Sequence, residues 1–243
     1  MKNSVKRNLL LTNDDGITAD GLIRLAKAAR HFGNVWVVAP DSQRSAGSHS
    51  ISLNHPIDLF PHAFPVDGVT AFACSGSPAD CVRVGCLNVM PQKPDAVLSG
   101  INFGYNAASD IQYSATAGAA FEAAFQECHA IALSEFAGDC HETTDAFLLP
   151  VLEELLSVKL GYGQILNVNF PGCKLAECKG ILRDRTVSHG MFYRDRYRLV
   201  EPLPNGGMRL MVEGIYNEDA EENTDFRAIV DGYVSIGVVH NIG

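Results

Sequence analysis

Apolar residues form short runs that alternate with amphipathic segments through the first half of the chain. Runs of four to eight residues rich in β-branched side chains are typical of buried strands, and apolar positions three and four apart are typical of helices. The first apolar run ends at a polar turn, after which helical spacing begins. The predicted strands are 8–12, 35–40, 96–98 and 131–134, and the predicted helices are 21–31 and 115–126.

This alternation of strand and helix predicts an α/β fold. Its core is a three-layer, Rossmann-like, mostly parallel sheet with helices on both faces. We expect residues 1–135 to form this Rossmann-like core. The pattern weakens afterwards, where a helix at 145–158 and strands at 165–170 and 232–240 accompany hairpin-like stretches. We therefore expect 136–243 to be a smaller β-rich part that completes the fold and carries oligomerisation strands.

Charge narrows the range of partners. The 243 residues include 19 Lys and Arg against 28 Asp and Glu, a formal net charge of -9. Such a chain repels a nucleic-acid polymer, so we expect no DNA or RNA partner. An anionic small substrate would need a local source of positive charge, and a bound cation can supply it.

We expect a cytoplasmic protein that does not bind membranes. The charged N-terminal residues precede an apolar run too short for a signal peptide, and no apolar stretch is long enough to span a bilayer. Seven cysteines occur without a CxxC pair, which argues against a zinc ribbon and favours free thiols in a reducing compartment.

Three polar loops follow predicted strands, with the sequences NDDG, PDSQRSAGS and SGINFGYN. In open α/β sheets, ligands bind beyond the carboxyl ends of the strands. The three loops lie far apart in sequence, but this rule predicts that they meet in one crevice.

The first loop contains two adjacent carboxylates, Asp14 and Asp15. Like charges this close raise each other's pKa and resist burial, and a divalent ion such as Mg²⁺ removes that cost through oxygen ligands. Gly16 gives the turn the backbone freedom to direct both side chains at one ion. The alternative is that one aspartate caps the following helix. For the adjacent pair we favour the metal.

The other two loops supply hydroxyls and amides. Ser45 lies in the second loop with several further serines, and it can bind an ion or phosphate or simply face solvent. Asn102 and Asn106 lie in the third loop. Ser114 and Thr116 stand beside the start of the predicted helix, where free N–H groups attract phosphate, and helix capping is the alternative role for both.

Taken together, five segments resemble the SurE survival-protein family in order and spacing over nearly the whole chain. They are NDDG, APDSQRSAGSHSIS, SGSPADCV, PDAVLSGINFGYN with YSATAGAAFEA, and TDFRAIVDGYVSI. The resemblance implies the SurE-like form of the Rossmann-like fold. It also implies that Asp14, Asp15, Ser45 and Asn102 are metal ligands and that Asn106, Ser114 and Thr116 line a phosphate pocket. We add Asn13, beside the acidic pair, to the phosphate-binding residues.

The resemblance implies a metal-dependent phosphatase acting on nucleoside 5′- and 3′-monophosphates, and on short polyphosphate in some members. One Mg²⁺ or Mn²⁺ per subunit would activate water for in-line attack on phosphorus, with Asp14 and Asp15 as the catalytic residues. A homodimer or homotetramer with exchanged C-terminal arms is implied as well. The alternative from another class is a non-catalytic nucleotide-binding module.

Two alanines depart from the family pattern, because Ala108 and Ala115 stand where members commonly have glycine. Where the backbone needs a positive φ, alanine costs about 1 kcal/mol. His240 resembles a histidine that some members place near the active site, and an ordinary surface role is the alternative.

Two other enzyme classes fit less well. A haloacid-dehalogenase-like phosphatase needs aspartates two positions apart, whereas these are adjacent. A zinc deacetylase with a similar turn needs a histidine just before the pair, where this chain has Thr12 and Asn13.

Overall fold

The computed structural model describes residues 6–242. The expectation about secretion rests partly on residues 1–5, which lie outside that range. The helices are α1 (Asp20–Ala29), α2 (Pro78–Val84), α3 (Ala115–Phe125), α4 (Glu142–Leu155) and α5 (Asp225–Val230). The strands are β1 (Arg7–Thr12), β2 (Gly33–Pro40), β3 (Leu59–Pro61), β4 (Val69–Cys74), β5 (Ala96–Phe103), β6 (His129–Glu135), β7 (Gln164–Phe170), β8 (Ile181–Leu182), β9 (Tyr193–Pro202), β10 (Met208–Tyr216) and β11 (Val234–His240).

Nine strands form one sheet in the order β3-β4-β2-β1-β5-β6-β7-β11-β8. The central strands β4, β2, β1, β5, β6 and β7 all run parallel, whereas β3 and β11 run antiparallel to their neighbours β4 and β7. The carboxyl ends of the six parallel strands therefore share one edge of the sheet.

Successive residues of β1 serve opposite faces of the sheet. Leu9 and Leu11 pack in the cluster that includes α1 and α4, and Leu10 packs in the cluster that includes α2 and α3. A strand buried on both faces is the expected product of helices covering a parallel sheet. The three-layer α/β fold predicted from the sequence is confirmed.

The strand β5 is longer than predicted. It continues to Phe103, with irregular pairing to β6 between Ser99 and Asn102. Gly100 permits this, because its φ is +138° and a Cβ there would lie 2.2 Å from the Leu133 carbonyl oxygen. The first half of the predicted third loop is therefore strand.

The sequence reading also left out α2, β3, β4 and α5. Of these, α2 had a readable signal: Ser77 and Asp80 form a capping box around Pro78 at the helix start. The SGSPADCV segment thus has a structural role as a helix start.

A separate ribbon of β9 and β10 lies outside the main sheet, as the hairpin-like pattern predicted. All residues of β9 are exposed in the single chain, and so are nearly all of β10. Among residues 6–242, no helix has the length and apolar character needed to cross a membrane.

Candidate active site

The turn after β1 brings Asn13, Asp14 and Asp15 to the carboxyl edge of the sheet. Asn13 Nδ2 donates to the Gly16 carbonyl oxygen at 2.9 Å, which closes the turn. Gly16 has a φ of +102°, a left-handed value that a residue with a side chain adopts at a cost. Arg44 N donates to the Asp14 carbonyl oxygen at 2.7 Å, so the second polar loop is fastened to this turn.

The Asp14 side chain is only 3% exposed and faces the start of α3. Its Oδ1 accepts a hydrogen bond of 2.6 Å from Thr116 Oγ1. Burial raises the pKa of Asp14 from 3.8 to about 6, with the Thr116 hydroxyl opposing the rise and the charge of Asp15 adding to it. A bound proton or cation would relieve the cost of burying this charge.

Asp15 is partly buried and faces the end of β5. Its Oδ2 accepts a hydrogen bond of 3.0 Å from Phe103 N. Burial raises the pKa of Asp15, the Phe103 N–H opposes the rise, and the negative charge of Glu135 adds to it. The acidic turn thus connects the loop after β2, the end of β5 and the start of α3.

Neither aspartate caps the following helix. The N-cap of α1 is Ala19, and no side-chain hydrogen bond closes that helix end. The alternative that Asp14 or Asp15 caps the following helix, α1, is therefore wrong.

The two neutral ligands expected from the resemblance lie on the neighbouring segments. Ser45 is exposed in the loop fastened to Asp14, and its Oγ accepts a 2.9 Å hydrogen bond from Gln43 Nε2. Asn102 lies on β5 next to Phe103, and its Nδ2 donates to the Gly104 carbonyl oxygen at 2.7 Å. Both side chains keep an oxygen that can act as a ligand.

Asn106 is buried among polar groups at the ends of β6 and β7. Its Nδ2 donates to Ser134 Oγ at 2.8 Å, and its backbone N donates to Asn169 Oδ1 at 2.9 Å. Its carbonyl oxygen accepts from Asn167 Nδ2 at 2.8 Å. These bonds hold the loop after β5 against the sheet.

The residues at the start of α3 divide between two roles. Ser114 is the N-cap, and its Oγ accepts from Ala117 N at 2.9 Å, which is the capping role left open from the sequence. Thr116 is fully buried and directs its hydroxyl at Asp14. The first turn of α3 therefore lies beside the acidic turn.

The two unusual alanines differ in conformation. Ala108 has a φ of +53°, so alanine occupies a left-handed position where glycine is favoured. Its backbone N donates to Asp225 Oδ2 at 3.0 Å, which ties the loop after β5 to the start of α5. Ala115 is the first residue of α3 and needs no left-handed backbone.

Sequence reasoning missed a charged cluster next to Asp15. Glu135, at the carboxyl end of β6, is buried and pairs with Arg24 of α1. His141 Nδ1 lies 3.1 Å from Glu135 Oε2. An acid ending a buried strand was a usable signal for Glu135, whereas Arg24 and His141 come from segments that carry no local signal.

His240 and the arginines of the C-terminal part do not join this site. His240 contacts Gln164 at the amino end of β7, at the edge of the sheet opposite the acidic turn of the same chain. Arg183, Arg194, Arg196 and Arg198 are exposed and form ion pairs on the surface, the first with Glu154, the second with Asp219 and the last two with Glu213.

The residues at the turn suit a hard divalent ion. The donors are two carboxylates, a hydroxyl and an amide oxygen, the set that Mg²⁺ and Mn²⁺ favour. Burial and mutual repulsion already raise the pKa of Asp14, and a cation between the carboxylates relieves both effects. Within 6–242 no cluster of three or more His, Cys, Asp or Glu side chains could hold a metal, so such a site must rely on neutral oxygens.

Comparisons with known proteins show which proteins this chain resembles. The sequence pattern of the family described as Survival protein SurE matches residues 9–191. A 5′-nucleotidase SurE from Clostridium botulinum (strain Loch Maree / Type A3) is 39% identical over 96% of this chain and 92% of its own length. One from Flavobacterium johnsoniae is 37% identical over 94% and 88%. The crystal structure of the SurE protein from Aquifex aeolicus superposes with a TM-score of 0.80 at 32% identity, covering 96% and 93% of the two chains.

Proposed function

Since this chain belongs to the SurE family and is, like its curated relatives, a 5′-nucleotidase, we propose that its hydrolysis of nucleoside 5′-monophosphates depends on a divalent metal ion. Asp14 and Asp15 hold this ion, one Mg²⁺ or Mn²⁺ per subunit, and Ser45 and Asn102 complete its protein ligands.

The acidic turn is the observation that carries the proposal. Asp14 and Asp15 are adjacent at the end of β1, and burial raises the pKa of both. Each accepts a hydrogen bond at one carboxylate oxygen, from Thr116 and Phe103 respectively. This leaves each carboxylate a second oxygen for an ion. Two costly charges kept side by side are explained by a ligand that neutralises them.

The residues around the turn have different roles in the reaction. When bound, the ion supplies positive charge against the phosphate and lowers the pKa of water. Asp14 and Asp15 bind the ion, and either carboxylate can take the proton of the attacking water. The N–H groups at the start of α3, beside Ser114 and Thr116, face the phosphate oxygens. Asn13 and Asn106 fix the loops that surround the phosphate.

The proposal extends to 3′-monophosphates and short polyphosphate, as the family resemblance implies. Both share the terminal phosphate and the metal requirement with 5′-monophosphates, so the same residues serve all three. Phosphate release measured across such a substrate panel tests this extension, and release from 5′-monophosphates alone would refute it.

The C-terminal part supplies the oligomer. The ribbon of β9 and β10 exposes large apolar side chains on a strand pair with no partner sheet among the described residues, and another subunit would cover them. They are Tyr197, Leu199, Val200, Met208, Leu210, Met211, Val212 and Ile215. We propose a cytoplasmic homodimer or homotetramer with exchanged arms. Sedimentation as a monomer at micromolar concentration would refute it.

Phosphate release from a nucleoside 5′-monophosphate, with added Mg²⁺ or Mn²⁺ and with EDTA, tests the proposed function. We expect turnover only with the metal, and none from Asp14→Asn under either condition. Asp67→Asn changes an exposed aspartate in the loop before β4 and serves as the matched control. Undiminished hydrolysis in EDTA would refute the role of the metal.

Two measurements on the same protein preparation distinguish the enzyme from the alternative, a non-catalytic nucleotide-binding module. Calorimetric binding of a nucleoside monophosphate, without phosphate release at any metal concentration, would establish that alternative. Metal-stimulated release excludes it.

A further inference from the structure

A cavity of about 300 Å³ opens beside Asp15, on the side of the turn away from Thr116. Its lining includes Asp15, Glu135 and His141. This volume is at the lower end of the range for small-molecule sites. Asp14 faces the start of α3, so a phosphate held there can direct its organic half toward Asp15 and into this cavity.

The charges of this cavity do not suit a second phosphate. Three carboxylates line it, those of Asp15, Asp20 and Glu135, against the single guanidinium of Arg24. Arg24 is already paired with Asp20 at 2.7 Å, with Asp145 at 2.8 Å and with Glu135. The cavity is therefore net negative, which favours a neutral ligand with hydrogen-bond donors over an anion.

One wall of the cavity is apolar and includes an aromatic ring. Phe103 is 56% exposed although its backbone N is fixed by Asp15 Oδ2. Ile101 and Ala19 continue the wall. An exposed ring at a fixed position can stack against a nucleobase, and stacking tolerates any base.

Part of the cavity lining is polar. Glu135 Oε2 is buried and accepts no hydrogen bond of good geometry from the residues that the structure describes, although His141 Nδ1 lies 3.1 Å from it. An acid near the carboxyl end of a strand is the group that accepts hydrogen bonds from ribose hydroxyls in dinucleotide-binding folds. Glu135 and His141 provide such acceptors on β6 and beside it.

A second cavity, near Ser45, has the opposite character. It measures about 370 Å³ and is lined by Arg44, five serines, two glycines and Pro78, with no aromatic side chain. Arg44 there donates to Asp41 at 3.3 Å and to the Ser75 carbonyl oxygen at 3.1 Å. It offers a nucleobase no aromatic ring to stack on, so the cavity beside Asp15 is the better match.

We propose that the cavity between Asp15 and Glu135 is the nucleoside subsite of the enzyme. The base stacks on Phe103, and ribose hydroxyls donate to the polar part of the lining formed by Glu135 and His141. This inference rests on the proposed function and deepens it. Among nucleotides, it assigns the specificity of the enzyme to nucleosides that carry a single phosphate.

Phe103→Leu tests the subsite, with Phe60→Leu as the matched control. Phe60 is 66% exposed on the edge strand β3 and lies outside the cavity. Leucine keeps the backbone N–H that binds Asp15 but cannot stack. We expect the KM for adenosine 5′-monophosphate to rise about tenfold in Phe103→Leu, and by less for glycerol phosphate, which has no base.

Calorimetric titration with adenosine in EDTA gives a readout that needs neither metal nor catalysis. We expect Phe103→Leu to weaken adenosine binding about tenfold, while Phe60→Leu matches the wild type. Equal adenosine affinity in all three proteins would overturn the subsite, whatever the hydrolysis assay shows. Loss of metal-dependent turnover in the wild type would instead overturn the proposed function and leave this titration interpretable.

Discussion

Two buried aspartates in this molecule have opposite surroundings. Asp225, at the start of α5, is 4% exposed and accepts from three backbone N–H groups, those of Ala108, Ser188 and Phe226, at 2.7–3.0 Å. Asp14 is 3% exposed, and among the described residues the side chain that donates to its carboxylate is Thr116. Burial raises the pKa of both, and hydrogen bonds oppose the rise, led by the Ser188 N–H at Asp225 and by the Thr116 hydroxyl at Asp14.

The difference separates a carboxylate used for structure from one kept for binding. Asp225 joins α5 to the loop after β5, and its carboxylate accepts hydrogen bonds from within the fold. Asp14 lies beside a second acid and keeps an oxygen for a ligand. A buried charge with few internal donors marks a site that an external cation completes.

The largest expected effect comes from removing the structural acid. Asp225→Ala leaves three backbone N–H groups buried without an acceptor, which should lower the free energy of unfolding by about 3–5 kcal/mol. Chemical denaturation measures it. Asp225→Asn keeps one acceptor oxygen and should lose less. A loss below about 1 kcal/mol in Asp225→Ala would remove the contrast between the two aspartates.

At the acidic turn, removing an aspartate charge is expected to increase the stability of the metal-free protein. In EDTA at pH 8, Asp14→Asn should raise the free energy of unfolding by about 1–3 kcal/mol, because it removes a buried charge while the Thr116 hydroxyl keeps an acceptor. Turnover should be lost. Denaturation curves of both proteins, with Asp67→Asn as control, measure the difference. A destabilised Asp14→Asn would show that the carboxylate supports the fold.

The pH dependence of that gain follows from the raised pKa of Asp14. Its folded pKa of about 6 lies above the ordinary value of 3.8, so the folded state binds the proton more tightly. The wild type therefore loses stability as the pH rises from about 4 through 6, and the full penalty is present above that range. The advantage of Asp14→Asn should vanish at pH values below 3.8, where the group is protonated in both states.

The smallest expected effects concern the two alanines near the site. Ala108→Gly should stabilise the protein by about 1 kcal/mol, because it relieves a left-handed alanine at the loop that Asp225 holds. Ala115→Gly should destabilise by about 0.5–1 kcal/mol, because its backbone is helical. Thermal unfolding measures both. Shifts of the same sign in the two variants would contradict this assignment.

Much of the fold was accessible from the sequence because its signals are local. The run at β1, the small apolar residues of α3 and the β-branched run of β2 each determine an element within a few residues. The end of β5 could not be predicted from the sequence. The strand continues to Phe103 through irregular pairing at Gly100, and that pairing depends on the neighbouring strand β6.

Some residues of the site could likewise be predicted from the sequence, and others could not. Asp14 and Asp15 were found because they are adjacent in sequence and follow a buried strand. Residue type alone did not show whether Ser114 caps a helix or binds phosphate, since both roles use the same hydroxyl. The cluster of Arg24, Glu135 and His141 joins segments more than a hundred positions apart, a contact that no local pattern in one sequence encodes.

Calorimetric titration of the metal-free protein with Mn²⁺, in the wild type and in Asp14→Asn, tests the central claim most directly. We predict binding of one ion per wild-type subunit, with a rise in melting temperature, and neither effect in Asp14→Asn. Equal Mn²⁺ affinity in the two proteins, or no binding by a folded wild type, would contradict the account of the acidic turn as a metal site.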